Sequence, residues 1–361
     1  MTIDRVRQLL GQTFWIGFAG TSVPNSIRSF IEKNHIGGIS LFANNYESPN
    51  QIAELNNKLQ EINPSDFPLA IAVDHEGGKV QRFKNPFIHF PEPRVIGDKN
   101  SPKLAFDCAR VMAEELKAVG CNVIYAPLAD IHTNPANPVI GRRAFGENEE
   151  IVSKMVSAYI RGFITHGIQP VVKHFPGHGD TTEDSHFKLP KVSTDANTLH
   201  DRELKPFSRA FKSKCELVMT AHIIVEKLDA KNPATMSTKV LQDLLRSQMR
   251  YKGLIISDDM EMKAIADNFG DVDAALMAIE AGCDILLYHT EPFETKAFEG
   301  LMSALTSPRG KNALACLERS FDRITDWKKR HFAGYAPIPI SEVEKIVGNA
   351  EFQDIYQKTI S

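Results

Sequence analysis

The amino-acid sequence predicts an α/β fold, a (β/α)8 TIM-type barrel with additional C-terminal helices. Eight short apolar runs recur along the chain, and helical patterns of apolar residues separate most of them, as parallel strands joined by helices require. Polar and charged motifs follow these runs at their C-terminal ends, where barrel enzymes carry their chemistry. The 361 residues suit one domain, with the barrel at about 10–306 and the extra helices at about 307–361.

The apolar runs are short, and most are bounded by turn-forming residues, which is typical of buried strands. We predict strands at 14–20, 36–42, 69–73, 122–126, 168–172, 217–222, 253–256 and 285–288. We predict helices at 26–33, 50–62, 102–119, 149–166, 197–212 and 237–249, and then at 292–306, 312–329 and 340–358. In 102–119 the apolar residues recur at steps of three and four, and Gly120 ends the helix.

Composition and charge exclude several classes of partner. Hydrophobic residues make up 42% and charged residues 24% of the chain, which is typical of a globular protein with a full core. The net charge of −3 and the lack of a long basic run argue against nucleic acid and anionic membranes as partners. No 18-residue apolar run is present, so we expect no membrane span. We expect a monomer that acts on a small molecule.

The cysteines are scattered, odd in number and never form a Cys-x-x-Cys pair: Cys108, Cys121, Cys215, Cys283 and Cys316. This pattern predicts free thiols in a reducing compartment. The N-terminus has basic residues but no continuous apolar segment before Phe14, so it does not resemble a secretory signal. We therefore expect a cytoplasmic protein.

The loop after the fifth predicted strand holds the densest group of ionisable residues. Residues 173–180 read Lys-His-Phe-Pro-Gly-His-Gly-Asp, and the loop continues to Asp184, Ser185 and His186. Two glycines and a proline break both the helical and the strand period, so packing does not explain this composition. A loop with such groups at the end of a buried strand is a candidate active site.

Further candidates follow the third and fourth strands. Residues 74–78 read Asp-His-Glu-Gly-Gly, and Arg82 follows. The glycines permit a tight turn beside a ligand, and Asp74 and Arg82 suit hydrogen bonding to hydroxyl groups, although a charged turn is the alternative interpretation. After the fourth strand, Arg142 and Arg143 precede Ala-Phe-Gly, and an arginine's planar fork can hold two acceptors.

The sixth and seventh strands also end in ionisable residues. His222 closes the sixth run, where a hydrogen-bonded core histidine is the more common situation. Asp258 and Asp259 directly follow the apolar core of the seventh run, and their alternative role is a helix N-cap and its neighbour. Asp271 and Asp273 are weaker candidates, because they begin a helical pattern after a glycine.

Together these motifs resemble those of bacterial β-N-acetylhexosaminidases of glycoside hydrolase family 3. The resemblance rests on Lys-His-Phe-Pro-Gly-His-Gly with Asp-Ser-His after it, on Asp-x-Glu-Gly-Gly, Arg-x-Phe-Gly and Met-Thr-x-His, and on the acid after the seventh strand. It covers roughly residues 14–290. It implies an exo-acting retaining β-N-acetylglucosaminidase without metal or cofactor, which removes terminal N-acetylglucosamine from peptidoglycan fragments during cell-wall recycling.

The resemblance also implies residue roles. Asp258 is the expected nucleophile, and His186 is the expected acid/base, oriented by Asp184. An imidazole suits this task because its pKa lies near neutrality and a carboxylate on one nitrogen supports the imidazolium. The expected substrate-binding residues are Asp74, Arg82, Arg143, Lys173, His174 and His222. We expect His178 and Asp180 to hold the loop through hydrogen bonds.

Three alternatives remain open. The chain could be a family 3 β-glucosidase or xylosidase, since sugar preference is not visible in these motifs. It could be a metal-dependent barrel hydrolase, for which the possible ligands are His174, His178, Asp180, His186 and Asp258. A catalytically inactive sugar-binding module is the least favoured, because every group that the resemblance demands is present.

Overall fold

In the computed structural model the described residues are 1–183, 185, 189–290 and 293–361, apart from the side chains of residues 293 and 294. They contain a closed barrel of eight parallel strands, each paired with its neighbours in chain order, and β8 closes onto β1. The strands are β1 (Phe14–Ile16), β2 (Gly38–Leu41), β3 (Ala70–Val73), β4 (Val123–Ile124), β5 (Gln169–Phe175), β6 (Leu217–Thr220), β7 (Leu254–Asp259) and β8 (Ile285–Tyr288). The predicted (β/α)8 fold is confirmed.

Helices connect the strands and surround the barrel. Their bounds are Ile3–Thr13, Asn25–Asn34, Pro49–Glu61, Pro93–Asp98, Pro102–Ala118, Glu149–Thr165, Leu204–Lys212, the π-helical Lys239–Gln248, Asp271–Ala281, Phe293–Leu305, Lys311–Phe332, Ile340–Ile346 and Ala350–Ile360. Two small sheets lie outside the barrel. One is the antiparallel pair His75–Gly77 and Val80–Gln81, and the other is the parallel pair Lys191–Val192 and Ile224–Val225.

The C-terminal helix Lys311–Phe332 closes one end of the barrel. Its apolar residues Ile324, Trp327 and Phe332 join the side chains that fill the barrel interior, and the rings of Trp15 and Trp327 lie 6.4 Å apart. This end is the one at which the strands begin. The opposite end, where the strands finish, therefore remains the open end, as in other barrels of this type.

Buried charges reinforce the closed end. The Lys328 side chain donates to Gln12 Oε1 at 2.9 Å and to the Gly37 carbonyl at 2.7 Å. Burial lowers the pKa of Lys328 to about 7. Asp284, which directly precedes β8, is fully buried and accepts hydrogen bonds from Arg246, Arg323, Ser320 Oγ and the Ile255 backbone N–H.

Two local features differ from the sequence prediction. The prediction of one helix over 340–358 is wrong, because Gly348 has φ +71° and separates Ile340–Ile346 from Ala350–Ile360. The N–H of Gly348 instead donates to Glu115 Oε1 at 2.8 Å. The N-terminal helix Ile3–Thr13 was not predicted, although Thr2 caps it through the N–H of Arg5.

The described residues also test two simpler expectations. All five cysteines are free, four of them buried and Cys316 partly exposed, as predicted. Within the part of the chain that the structure covers, each helix is too short or too polar to cross a membrane.

Candidate active site

A cavity of about 430 Å³ lies at the open end of the barrel. Side chains from the ends of β2, β3, β5, β7 and β8 and from the loop after β4 surround it. Six of the predicted site residues line it: Asp74, Arg82, Arg143, Lys173, His174 and Asp258. His222 does not belong to this lining, and Asp184 and His186 lie outside the described residues.

The turn after β3 brings one carboxylate to a wall of the cavity and places a second directly behind that wall. Gly77 and Gly78 adopt φ +97° and +55°, which lets the chain reverse into a short antiparallel pair. The Asp74 carboxylate then accepts from Arg82 Nη2 at 2.9 Å and from Lys173 Nζ at 2.8 Å. Burial opposes the charge of Asp74, but Lys173 and Arg82 outweigh it and hold the pKa of this carboxyl below its ordinary range.

A second carboxylate on this turn, Glu76, pairs with two cations. Its Oε1 lies 2.7 Å from Lys173 Nζ and 2.8 Å from Arg143 Nη2, and its Oε2 accepts from Arg143 Nε at 2.9 Å. Lys173 is buried, yet Asp74 and Glu76 raise its pKa despite the cost of burial. Charges thus alternate in the order Arg82, Asp74, Lys173, Glu76 and Arg143, with Glu76 directly behind the wall that the other four help to form.

The two adjacent arginines have different environments. Arg142 points away from the cavity lining and pairs with Glu92 on the exposed surface. Arg143 lines the cavity and forms the two-point contact with Glu76. This distribution agrees with the choice of Arg143 over Arg142 as the candidate binding residue.

The loop after β5 is held from below by Asp130. Its Oδ2 lies 2.7 Å from His174 Nδ1, and its Oδ1 accepts from the backbone N–H of His178 at 2.7 Å. The carboxylate fixes the His174 ring with Nδ1 as the donor, which leaves Nε2 as the other ring nitrogen for the cavity.

His178 and Asp180 hold the loop through hydrogen bonds, as predicted from the sequence. The ring of His178 contacts Thr181 Oγ1 at 2.9 Å and Ser185 Oγ at 3.2 Å. Burial and the neighbouring His174 lower the pKa of His178 to about 4, so this ring is neutral at pH 7. Asp180 accepts from two hydroxyls and from Arg202, and the hydroxyls belong to Thr133 and Thr194.

Asp258 stands at the end of β7 with its side chain on the cavity. Its Oδ1 accepts from the backbone N–H of Asp259 at 2.9 Å. Burial raises the pKa of the Asp258 carboxyl, but His174, the backbone N–H of Asp259 and Lys173 act against it, and the pKa stays below its ordinary value, so the carboxylate is ionised at neutral pH. A half-buried, ionised carboxylate on a substrate-sized cavity has the properties of a nucleophile.

The neighbouring Asp259 has another partner. Its carboxylate pairs with His289 Nδ1, and its Oδ1 accepts from the Glu261 backbone N–H at 3.0 Å. Glu261 Oε2 in turn accepts from the backbone N–H groups of His289 and Thr290. Because Asp259 is held in an ion pair, Asp258 is the better placed of the two for attack on a substrate.

His222 lies behind these aspartates and is completely buried. Its Nε2 is 2.9 Å from the carbonyl oxygen of Asp259, and its Nδ1 is 2.8 Å from Thr235 Oγ1. A carbonyl only accepts, so Nε2 carries the proton and Nδ1 accepts from the Thr235 hydroxyl. Burial lowers the pKa of His222, in keeping with this neutral form. The ring supports the end of β7, and its contact with substrate stays a prediction.

The metal alternative is not supported by the residues proposed for it. Among the described side chains, a single group of three possible ligands converges, namely Asp259, Glu261 and His289, whose ligand atoms lie within 4.8 Å of one another. His174, His178, Asp180 and Asp258 form no such group within the same part of the chain, and His186 lies outside it. Asp259 and Glu261 both contact His289 Nδ1.

Sequence reasoning missed two buried carboxylates, Glu76 and Asp130. Glu76 stood in the quoted 74–78 motif, and Asp130 followed the fourth predicted strand. Both had the signal of an acid at a strand end. Their partners are 44 to 97 residues away in the chain, which a single sequence does not reveal.

Comparison with known proteins agrees with this geometry. Residues 2–326 match the glycosyl hydrolase family 3 N terminal domain. The chain is 36% identical over 318 residues to beta-hexosaminidase A of Pseudoalteromonas piscicida, covering 82% of this chain but only 53% of that protein, so it spans about half the relative's length. It is 32% identical over 347 residues to a beta-hexosaminidase of Alkalilimnicola ehrlichii, covering 91% of this chain and 98% of the relative.

A solved structure gives the same result. The fold superimposes with a TM-score of 0.92 on a glycoside hydrolase family 3 beta-N-acetylglucosaminidase from Paenibacillus sp. str. FPU-7, at 35% identity, covering 98% of this chain and 68% of that one. The family match spans the barrel and its cavity, and the full-length relative extends it over most of the chain. The chain therefore belongs to glycosyl hydrolase family 3 and is a glycoside hydrolase.

Proposed function

We propose that this glycoside hydrolase is an exo-acting, retaining β-N-acetylglucosaminidase that uses Asp258 as its nucleophile. The observation that carries the proposal is the position of the ionised Asp258 carboxylate on a cavity whose facing wall carries Arg82, Lys173 and Arg143. Cationic and carboxylate groups on one wall suit the hydroxyls of one terminal sugar. The relatives named as beta-hexosaminidases and the solved beta-N-acetylglucosaminidase support the choice of sugar.

The closed form of the cavity supports exo action. The barrel interior below it is packed with apolar side chains, and the C-terminal helix seals the far end. A sugar chain cannot pass through such a site, so it enters by one end. Cavities of a few hundred Å³ bind small molecules or one end of a larger one.

The chemistry then follows two steps. The Asp258 carboxylate attacks the anomeric carbon while the bond to the leaving oxygen breaks and His186 donates a proton to that oxygen. In the second step His186 accepts a proton from water, the water oxygen bonds to the anomeric carbon, and the Asp258 ester breaks. Retention results because the anomeric carbon is inverted twice.

His186 and its orienting Asp184 enter this mechanism from the sequence pattern, since both lie outside the described residues. Their neighbour Ser185 supports the assignment. It lines the cavity, its hydroxyl contacts His178, and its carbonyl accepts from the Ala264 N–H at 3.3 Å. The residue between the two proposed groups is thus anchored at the cavity and tied to the segment after β7.

Peptidoglycan fragments are the proposed natural substrates, in particular N-acetylglucosaminyl-anhydromuropeptides of a recycling route in the cytoplasm. Hydrolysis of nitrophenyl N-acetylglucosaminide, glucoside and xyloside tests the sugar. We expect the N-acetylglucosaminide to have the highest kcat/KM. A higher kcat/KM for the glucoside or xyloside would instead favour the related glucosidase or xylosidase activity. Release of N-acetylglucosamine from an anhydromuropeptide, compared with chitobiose, then tests the aglycone.

Metal independence separates this proposal from the barrel metallohydrolase. The mechanism uses only protein groups, so activity should be unchanged after dialysis against a chelator. Loss of activity that a divalent ion restores would contradict it, and Glu261→Gln would then test whether Asp259, Glu261 and His289 hold that ion.

A further inference from the structure

Glu76 stands one layer behind the cavity wall. Its side chain is only 1% exposed, and it does not belong to the cavity lining. Its two partners, Lys173 and Arg143, do line the cavity. A buried carboxylate that contacts two lining cations, and not the cavity itself, acts on a ligand only through those cations.

Lys173 and Arg143 have more N–H donors than their contacts with the protein use. A lysine ammonium has three N–H donors, and Lys173 gives one to Asp74, while its Nζ forms an ion pair with Glu76 Oε1 at 2.7 Å. A guanidinium has five, and Arg143 gives Nε and one Nη2 donor to Glu76 and one Nη1 donor to the Val139 carbonyl at 3.3 Å. Within the described part of the chain, these contacts leave at least one N–H of Lys173 and two of Arg143 for a ligand, and they restrain the direction of those donors.

We propose that Glu76 is a positioning residue, which holds Lys173 and Arg143 so that their remaining donors face the hydroxyl groups of the terminal sugar. This inference rests on the proposed function. The two-point contact with Arg143 fixes the guanidinium plane, and the shared Oε1 fixes the distance between the two cations. Preorganised donors bind a sugar without first losing their own freedom of movement, so binding is tighter.

Glu76 also keeps Lys173 charged. The charged groups around Lys173 are the carboxylates of Asp74 and Glu76, the guanidinium of Arg143, and Asp258 across the cavity. Burial and Arg143 both favour a neutral amine, and the carboxylates oppose them. Without the charge of Glu76, Lys173 would lose its proton at a lower pH.

The test compares Glu76→Gln with Glu92→Gln in the full chain. Glu92 is a matched control, because it pairs with the adjacent Arg142 outside the cavity lining. With nitrophenyl N-acetylglucosaminide, we expect Glu76→Gln to raise KM by about 10- to 100-fold with a smaller change in kcat, as for lost uniform binding. The alkaline limb of kcat/KM should move to lower pH. Glu92→Gln should match the wild type in KM, in kcat and in the position of the alkaline limb.

Glu76→Asp separates the effect of the negative charge from the effect of its position. It also provides a second variant if Glu76→Gln does not fold. It keeps the negative charge but shortens the side chain by one methylene. We expect a raised KM together with an alkaline limb close to that of the wild type. A purely structural role would lower Tm and active fraction in both variants while KM and the pH profile stay unchanged, and that result would overturn the proposal.

Different results would contradict the proposed sugar specificity and the positioning role of Glu76. If the wild type cleaves the glucoside or xyloside and not the N-acetylglucosaminide, the proposed sugar is wrong, and the Glu76 variants are then measured with the sugar that is cleaved. If the wild type cleaves the N-acetylglucosaminide and Glu76→Gln keeps its KM and pH profile, the positioning role is wrong and the proposed function stands.

Discussion

The two ends of the barrel both bury charged groups, but they satisfy them differently. At the closed end, Asp284 accepts from two arginines, a serine and a backbone N–H. At the open end, Asp258 accepts one hydrogen bond within the described part of the chain, from the N–H of Asp259. A buried carboxylate whose lone pairs are filled stabilises the fold, whereas one that is ionised with lone pairs free on a cavity is available for chemistry.

The largest expected loss of activity comes from a substitution at the open end. Asp258→Ala removes the attacking carboxylate, so kcat should fall by about 10⁴-fold or more, even for activated leaving groups. Steady-state kinetics with nitrophenyl and unactivated substrates measure this loss. Asp259→Asn serves as the comparison, because it removes the adjacent carboxylate and its pair with His289 but leaves the nucleophile. An equal loss in Asp259→Asn with an active Asp258→Ala would reverse the assignment.

The next largest effect is expected for His186→Ala, which should slow the second catalytic step, deglycosylation, more than the first. His186→Ala should slow deglycosylation by about 10²- to 10⁴-fold, because no base activates water, while an activated leaving group still departs. A glycosyl-enzyme should then accumulate, and peptide mass spectrometry should find the sugar on Asp258. Asp184→Asn should give a milder form of the defect, since the imidazole loses its orienting charge. Unchanged kinetics of His186→Ala on every substrate, or a label on another residue, would disprove these roles.

A substitution at the closed end should lower the free energy of unfolding and leave kcat unchanged. Asp284→Asn leaves Arg246 and Arg323 without their carboxylate, so the free energy of unfolding should fall by about 2–3 kcal/mol, less than for a deeply buried pair because Arg323 is one-third exposed. Denaturant unfolding measures this change, and kcat of the folded fraction should stay at the wild-type value. A fall in kcat without a fall in stability would mean that the two ends are coupled.

The same contrast explains which parts the sequence could predict. Strand and helix patterns are local, so the eight strands and the barrel followed from them, as did the strand-end positions of Asp74, Lys173 and Asp258. Side-chain partners are not local. The pairing of Glu76 with Arg143 depends on the closure of the barrel, and so does the burial of His222 behind Asp259. The break at Gly348 depends on a backbone conformation that a helical pattern does not exclude.

The smallest expected effect is on the pH dependence of stability and concerns Lys328. Burial lowers the pKa of this side chain to about 7, from a value of about 10.4 in the unfolded chain. Between these values the unfolded chain binds a proton that the folded chain does not, so this group makes stability rise as pH rises from 7 to 10. Its share of the slope is at most about 1.4 kcal/mol per pH unit.

Lys328→Met should remove that share, and its net effect on stability at pH 7 should be small. Charge burial is relieved, but Gln12 Oε1 and the Gly37 carbonyl lose their donor. Equilibrium unfolding of both proteins in denaturant, at several values between pH 7 and 10, gives the two slopes. The other titrating groups are the same in both, so their contributions cancel in the difference. Parallel slopes would mean that Lys328 keeps its proton in the folded barrel, and that the closed end, like the wall around Lys173, stabilises a buried ammonium.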